Sequence, residues 1–138
     1  MHTCELLVFS CIDFRFQEPL KEFLNKDYKG NYDLVCLAGS VKNFVSGGGA
    51  DKETFLKQVK ISKDLHHIKK VFLINHQNCG AYGAELQSGS PEEIEKHHRD
   101  LLAVREELSV FFPDLQFSLF FVQFEKERLT SVQFTRLD

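Results

Sequence analysis

The sequence predicts an α/β fold, with a mostly parallel β-sheet, flanking helices and an antiparallel hairpin strand at the carboxyl end. Short apolar runs with little alternation, typical of strands buried on both faces, are separated by stretches of helical periodicity. One helical stretch leads directly into a strand, as the crossover between two parallel strands requires. The most β-prone run lies near the end of the chain and is followed by a second one, which predicts a hairpin.

Five strands are predicted, at residues 3–10, 32–37, 70–75, 117–124 and 129–134. The first is rich in Leu, Val and Phe, as in a strand of a parallel sheet. The last two are joined by a predicted turn at residues 125–128. The small residues Ala38 and Gly39 follow the second strand and allow close approach to the strand ends.

Helices are predicted between these strands. The first has Pro19 as its first residue and stops at residues 29–31. The second follows a flexible glycine loop at residues 46–49, covers residues 51–65 and has Asp51 as its N-cap. A short helix is predicted at residues 81–86. The last helix has Ser90 as N-cap and Pro91 in the first position, and continues to about residue 110.

Length and composition indicate one domain, residues 1–138, with an ordinary soluble composition of 43% hydrophobic and 27% charged residues. The net charge is −3 and neither sign forms a long block, so we expect neither nucleic acid nor a membrane surface as a partner. The amino terminus lacks the basic region of a signal peptide, which favours a cytoplasmic protein. The four cysteines then indicate metal binding or buried packing more than disulfides.

Two polar clusters each follow a predicted strand. Cys11, Asp13 and Arg15 come after the first, and His76 and Cys79 come after the strand at 70–75. Parallel strands bring their carboxyl ends together, where open α/β sheets form ligand sites. The three Cys and His side chains are a donor set that suits zinc and leaves a fourth tetrahedral position open.

Other interpretations of these residues stay open. A single Cys is usually buried packing and a single His is usually hydrogen-bonded, and the alternative for Asp13 with Arg15 is a mere surface ion pair. Cys4 and Cys36 are predicted to be core or near-core thiols, with a redox role for Cys36 as an alternative. The pairs at residues 66–67 and 97–98 are histidines on predicted helices, and we expect solvated helix faces there.

The pattern Cys-x-Asp-x-Arg after the first strand and His-x-x-Cys-Gly after a later one resembles the β-class carbonic anhydrases. The Ala-Gly pair after the second strand and the closing hairpin are similar as well, so the likeness covers nearly the whole chain. The first strand begins close to Met1, which indicates a small member without an amino-terminal arm. Phe14 departs from the family, in which a small residue is frequent at this position, as do Leu37 and Ser40.

The resemblance implies one zinc ion per chain, held by Cys11, His76 and Cys79. Asp13 would be either the fourth ligand or the partner of Arg15, in two states of one site. With Asp13 paired to Arg15, a zinc-bound hydroxide would attack carbon dioxide and give bicarbonate.

The resemblance also implies a substrate pocket at the strand ends and a homodimer or higher homo-oligomer. Ala38, Gly39 and Gly80 are the small residues predicted to line that pocket. Three alternatives remain: hydrolysis of carbon disulfide or carbonyl sulfide, a non-catalytic zinc protein closed by Asp13, and a thiol redox module using Cys36.

Overall fold

The computed structural model describes residues 2–46, 48–125 and 128–138, and these residues form a five-stranded sheet with helices on both faces. The strands are β1 (Leu6–Ser10), β2 (Tyr32–Cys36), β3 (Lys70–His76), β4 (Gln116–Glu125) and β5 (Arg128–Arg136). Their order is β2-β1-β3-β4-β5. The first four are parallel and β5 runs antiparallel to β4, which confirms the predicted fold class. The predicted turn includes residues 126 and 127, which lie outside the described residues.

Four α-helices occur in the described ranges, together with short 3-10 turns at Phe14–Phe16 and Gly80–Tyr82. The prediction for the last helix is confirmed, since the Ser90 hydroxyl accepts from the backbone N–H of Glu93 and Pro91 is the first helical residue. None of these helices is long and apolar enough to cross a membrane. The helices are α1 (Gln17–Asp27), α2 (Lys42–Ser46), α3 (Gly48–His66) and α4 (Pro91–Phe111).

Three predicted details are wrong. The segment 81–86 is not an α-helix, because the chain passes from a 3-10 turn into Gly83, whose φ of 80° ends it. The glycines at 48 and 49 begin α3, so Asp51 lies in the first turn, where a carboxylate complements the helix dipole. Residue 47 of that predicted loop lies outside the described residues. Pro19 is the third residue of α1, because the chain enters this helix from the 3-10 turn before it.

Both faces of the sheet are buried. Along β1 the side chains alternate, so that Leu7 and Phe9 contact the helices α2, α3 and α4 while Leu6 and Val8 face α1. Phe9 stacks on Phe55 of α3 with ring centroids 3.8 Å apart. This explains the continuous apolar run in β1, since a strand covered on both sides has no solvated face.

The sheet topology places the two polar clusters at one edge. β1 and β3 are adjacent and parallel, and their register pairs Leu6 with Lys70 and Phe9 with Leu73. Cys11 follows directly after β1, and His76 is the last residue of β3. The residues after both strands therefore meet at the carboxyl end of the sheet.

Candidate metal centre

Cys11, His76 and Cys79 converge at this edge, although 65 or more residues separate the first from the other two. Their ligand atoms all lie within 4.8 Å of one another, and all three residues are buried. The two sulfur atoms are 3.9 Å apart. Two thiols and an imidazole this close form a donor set of the kind that binds zinc.

The His76 ring is oriented as a metal ligand would be. Its Nδ1 donates to the carbonyl oxygen of Gln77 at 2.7 Å, so the proton lies on Nδ1 and the lone pair on Nε2. Nε2 is buried and has no hydrogen-bond partner in the described part of the chain. A buried nitrogen with a free lone pair beside two thiols fits a metal ion, and the bond from the other ring nitrogen fixes the ring as in known metal sites.

The contact between the two thiols shifts their pKa values in opposite directions. Their contact lowers the pKa of Cys11, an effect to which the backbone N–H of Gly39 adds. The same contact raises the pKa of Cys79, and burial adds to this. A lowered pKa favours the thiolate, which is the form of cysteine that binds metal ions.

Of the three predicted small residues, Gly39 contacts this centre directly. The backbone N–H of Gly39 donates to Cys11 Sγ at 3.3 Å. Its φ is 80°, and a Cβ built there would lie 3.0 Å from that of Ala81, so glycine is required at this position. Gly80 directly follows Cys79 and begins the 3-10 turn, and Ala38 follows β2, and both of these residues are exposed.

Asp13 and Arg15 form an ion pair beside the centre. Arg15 Nη2 lies 2.7 Å from Asp13 Oδ2, and Arg15 Nε lies 3.0 Å from Oδ1. These hydrogen bonds hold the pKa of Asp13 below its usual value. Asp13 Oδ2 is also 3.8 Å from His76 Nε2. The carboxylate therefore lies next to the candidate ligands while it is bound to the guanidinium.

Two further residues fix this arrangement and were not predicted. Asn78 accepts from Arg15 through its side-chain oxygen at 3.1 Å and its carbonyl oxygen at 3.0 Å. Gln17 donates to the carbonyl oxygens of Cys11 and Asp13 at 3.1 and 2.9 Å. The only signal in the sequence is proximity to the two motifs, because polar residues in loops have no periodicity.

His97 is not on a solvated helix face, and that prediction is wrong. It is fully buried, because α4 turns this side chain towards the sheet. Its Nδ1 accepts from Asn75 Nδ2 at 2.9 Å, and the same amide donates to the hydroxyl of Tyr82. That hydroxyl donates to Asp100 at 2.9 Å. Burial lowers the pKa of His97 to about 4, so it is neutral at pH 7 and helps to hold Asn75 beside His76.

The other predictions for Cys and His residues have mixed outcomes. All four cysteines are free, and Cys4 and Cys36 are half-buried. Cys36 lies 3.9 Å from the Gln17 side-chain oxygen, so its contact is with an amide rather than with a second thiol. His67 is exposed, as expected, whereas the neighbouring His66 is paired with Asp33.

Comparison with known proteins agrees with this geometry. Residues 1–130 match the sequence model of the family described as "Putative carbonic anhydrase". An uncharacterized protein of Rickettsia bellii is 27% identical over 122 residues, which are 84% of this chain and 74% of that protein. An uncharacterized protein of Rickettsia conorii is 26% identical over 126 residues, and the match spans 66% of its length.

Solved structures show the same fold. The carbonic anhydrase of Streptococcus mutans has a TM-score of 0.60 at 14% identity, covering 99% of this chain and 83% of that one. The β-carbonic anhydrase CafA of Aspergillus fumigatus has a TM-score of 0.57 at 17% identity, with coverage of 99% and 76%. The carbonic anhydrase of Glaciozyma antarctica gives 0.56 at 16%, with coverage of 89% and 79%.

Proposed function

Because the chain belongs to the family described as "Putative carbonic anhydrase", we propose that it is a zinc enzyme that reversibly hydrates carbon dioxide to bicarbonate. The observation that carries the proposal is the convergence of Cys11, His76 and Cys79 around the unpartnered Nε2 of the histidine. Three ligands are the number that a catalytic zinc site takes from the protein, because the fourth position is then left for reacting groups.

Zinc is the metal that best fits the donor set. Thiolate sulfur favours soft or borderline ions. Magnesium and calcium prefer oxygen ligands, so a set of two sulfurs and an imidazole nitrogen does not suit them. A zinc ion bound here would act as a Lewis acid and make water a nucleophile near neutral pH. The chain contributes the three ligands, the fixed ring of His76 and the buried surroundings that exclude bulk water.

We further propose that Asp13 and Arg15 act as a gate. Asp13 is close enough to His76 Nε2 to compete for the fourth position on the metal, and Arg15 opposes this by binding both carboxylate oxygens. Asn78 holds the guanidinium in place from its other side. With the pair intact the fourth position is free for the reaction, and with the pair broken the carboxylate would close it.

The substrate proposed for this site is small, linear and uncharged. Ala38, Gly39 and Gly80 present no side chain larger than a methyl group, so backbone can approach the metal position closely. Carbon dioxide matches such a space and reacts with the nucleophile that zinc provides.

We also propose that two copies of the chain associate at the surface beside this centre. Ile12 and Phe14 flank Asp13 and are 59% and 85% exposed, unusual values for large apolar side chains. A second copy would cover them and restrict access to the metal centre. Sedimentation of the purified chain should then show a dimer, and Phe14→Ser should shift it towards monomer.

The function is tested by its dependence on metal. Protein stripped with a chelator should not accelerate carbon dioxide hydration, and zinc added back should restore a rate above the uncatalysed one. Cys79→Ser removes one ligand and should abolish that recovery. Bound zinc without any acceleration would instead support a non-catalytic zinc protein of the same fold.

A further inference from the structure

A second group of metal-ligand side chains lies at the opposite end of the sheet. Cys4, Asp33 and His66 each place one ligand atom within 4.8 Å of the other two. They come from three elements: the segment before β1, the strand β2 and the last turn of α3. The strand β1 lies between this group and the first. Its five residues span about 17 Å, so the two groups cannot share an ion.

We propose that Cys4, Asp33 and His66 form a second metal site, which binds a divalent transition-metal ion such as zinc. Sulfur, imidazole nitrogen and carboxylate oxygen together suit zinc or cobalt and not the hard ions magnesium and calcium. The group is half-buried, so an ion can enter from solvent and still be partly shielded from it.

The backbone fixes the positions of these three residues. The N–H of Cys4 donates to the carbonyl oxygen of His66 at 3.0 Å, which joins the segment before β1 to the end of α3. Asp33 is paired in register with Leu7 of β1. Main-chain contacts therefore hold the backbones of the three residues close together.

The orientation of the side chains agrees with the proposal. His66 Nδ1 donates to Asp33 Oδ2 at 2.7 Å, so this nitrogen points into the group, and an ion bound by both atoms would replace the proton between them. The buried hydroxyl of Ser62 donates to the same oxygen at 2.6 Å and holds the carboxylate in place. Hydrogen bonds to a ligating carboxylate of this kind are typical of metal sites.

An ion pair alone does not account for this group. The paired side chains of His66 and Asp33 are 27% and 29% exposed, and such partly exposed pairs contribute little to stability. The pair does not involve Cys4 Sγ, which donates to the carbonyl oxygen of Leu6 at 3.6 Å and also lies within 4.8 Å of both ligand atoms. The His2 ring packs against His66 with ring centroids 4.8 Å apart.

A bound ion would clamp three elements that are remote in sequence. It would tie the entry to β1, the edge strand β2 and the end of α3, and so stabilise the end of the sheet away from the catalytic centre. Binding only to the folded chain raises its stability in proportion to the logarithm of the metal concentration.

The test is to count zinc ions on the full chain after metal removal, zinc loading and gel filtration. Wild type should hold two ions per chain, and Cys4→Ser and His66→Gln should each hold one, with affinity at the altered site weakened at least roughly 100-fold. Cys36→Ser and His98→Gln, at half-buried positions outside both groups, should keep two.

The outcomes separate the two sites. Cys79→Ser should lose only the ion at the first site. If the wild-type chain holds a single ion and Cys4→Ser removes it, the second site is supported and the first is contradicted. Retained circular dichroism in each variant shows that folding is intact. If Cys4→Ser and His66→Gln both keep the wild-type metal content, the second site does not exist.

Discussion

Arg15 binds both carboxylate oxygens of Asp13, at 2.7 Å from Nη2 to Oδ2 and 3.0 Å from Nε to Oδ1, while Asp13 Oδ2 remains 3.8 Å from His76 Nε2. The carboxylate thus has two competing neighbours, a guanidinium and the candidate metal position. Charge-assisted bidentate pairing is among the stronger polar contacts in proteins. The balance between these neighbours is the basis of the proposed gate.

Arg15→Ala should lower the rate of carbon dioxide hydration and leave the zinc content unchanged. The substitution frees Asp13 to compete for the fourth metal position. The loss should be roughly 10- to 100-fold, which corresponds to the roughly 1.5–3 kcal/mol of a charge-assisted hydrogen bond. Stopped-flow hydration rates and metal analysis on the same samples measure both quantities.

The matched control for this variant is Arg136→Ala. Arg136, in β5, is likewise paired with an aspartate, Asp138, which follows that strand. This control should leave the rate unchanged. Asp13→Asn should retain zinc and escape the loss seen in Arg15→Ala, because a neutral amide competes weakly for the fourth metal position. An unchanged rate in Arg15→Ala, or an Asp13→Asn variant as impaired as Arg15→Ala, would contradict the gate.

Cys79→Ser should reduce the zinc content by one ion per chain. A serine hydroxyl is a poor zinc ligand at neutral pH, and only Cys11 and His76 would remain. Cys36→Ser is the control for this variant. It removes a half-buried thiol that is not a candidate ligand, and it should leave the metal content unchanged. Full zinc retention in the Cys79 variant would show that the three residues do not form the site.

Gly39→Ala should destabilise the metal-free protein more than Gly30→Ala does. Both glycines have a φ of 80°, which costs an L-residue about 1–2 kcal/mol. A Cβ at position 30 meets nothing within 4 Å, whereas one at position 39 lies 3.0 Å from the Ala81 Cβ. The expected loss at Gly39 is about 2–4 kcal/mol. Urea unfolding measures the difference, and equal losses would mean that the contact with Ala81 is relieved without cost.

The stability of the metal-free protein should fall in acid because of His97. Its pKa is about 4 in the folded chain, below the ordinary value of about 6.5 that the unfolded chain has. Below pH 6.5 the unfolded state therefore binds a proton that the folded state rejects. The contribution is complete above pH 6.5 and is lost towards pH 4, by up to about 1.4 kcal/mol per pH unit.

Comparison with two variants isolates this contribution. His97→Gln should flatten the pH dependence of the free energy of unfolding, whereas His98→Gln, one residue further along α4, should keep the wild-type slope. Parallel slopes for wild type and the His97 variant would show that His97 titrates normally in the folded chain.

The sheet and the three candidate ligands could be predicted because their signals are local. The apolar runs of β1 and β3 mark strands buried on both faces, and parallel pairing then brings the residues after them together. Cys and His residues that occur together at such positions are typical of a metal site. The cap of α4 at Ser90 was equally clear, since a single side chain makes the contact.

The remaining features depend on contacts between elements that are distant in sequence. His97 and Asn75 are 22 residues apart, and helical spacing alone does not show which face of α4 meets the sheet. The group of Cys4, Asp33 and His66 was missed for the same reason, because three separate elements supply it. Gly83 ends the 3-10 turn through a φ that composition does not reveal.

The most direct measurement is stopped-flow carbon dioxide hydration by zinc-loaded wild-type protein, at pH 7 and at pH 8.5. We predict zinc-dependent acceleration that is greater at pH 8.5, because water activated by zinc loses its proton near pH 7. Zinc bound to Cys11, His76 and Cys79 with no acceleration at either pH would contradict the proposed hydration of carbon dioxide.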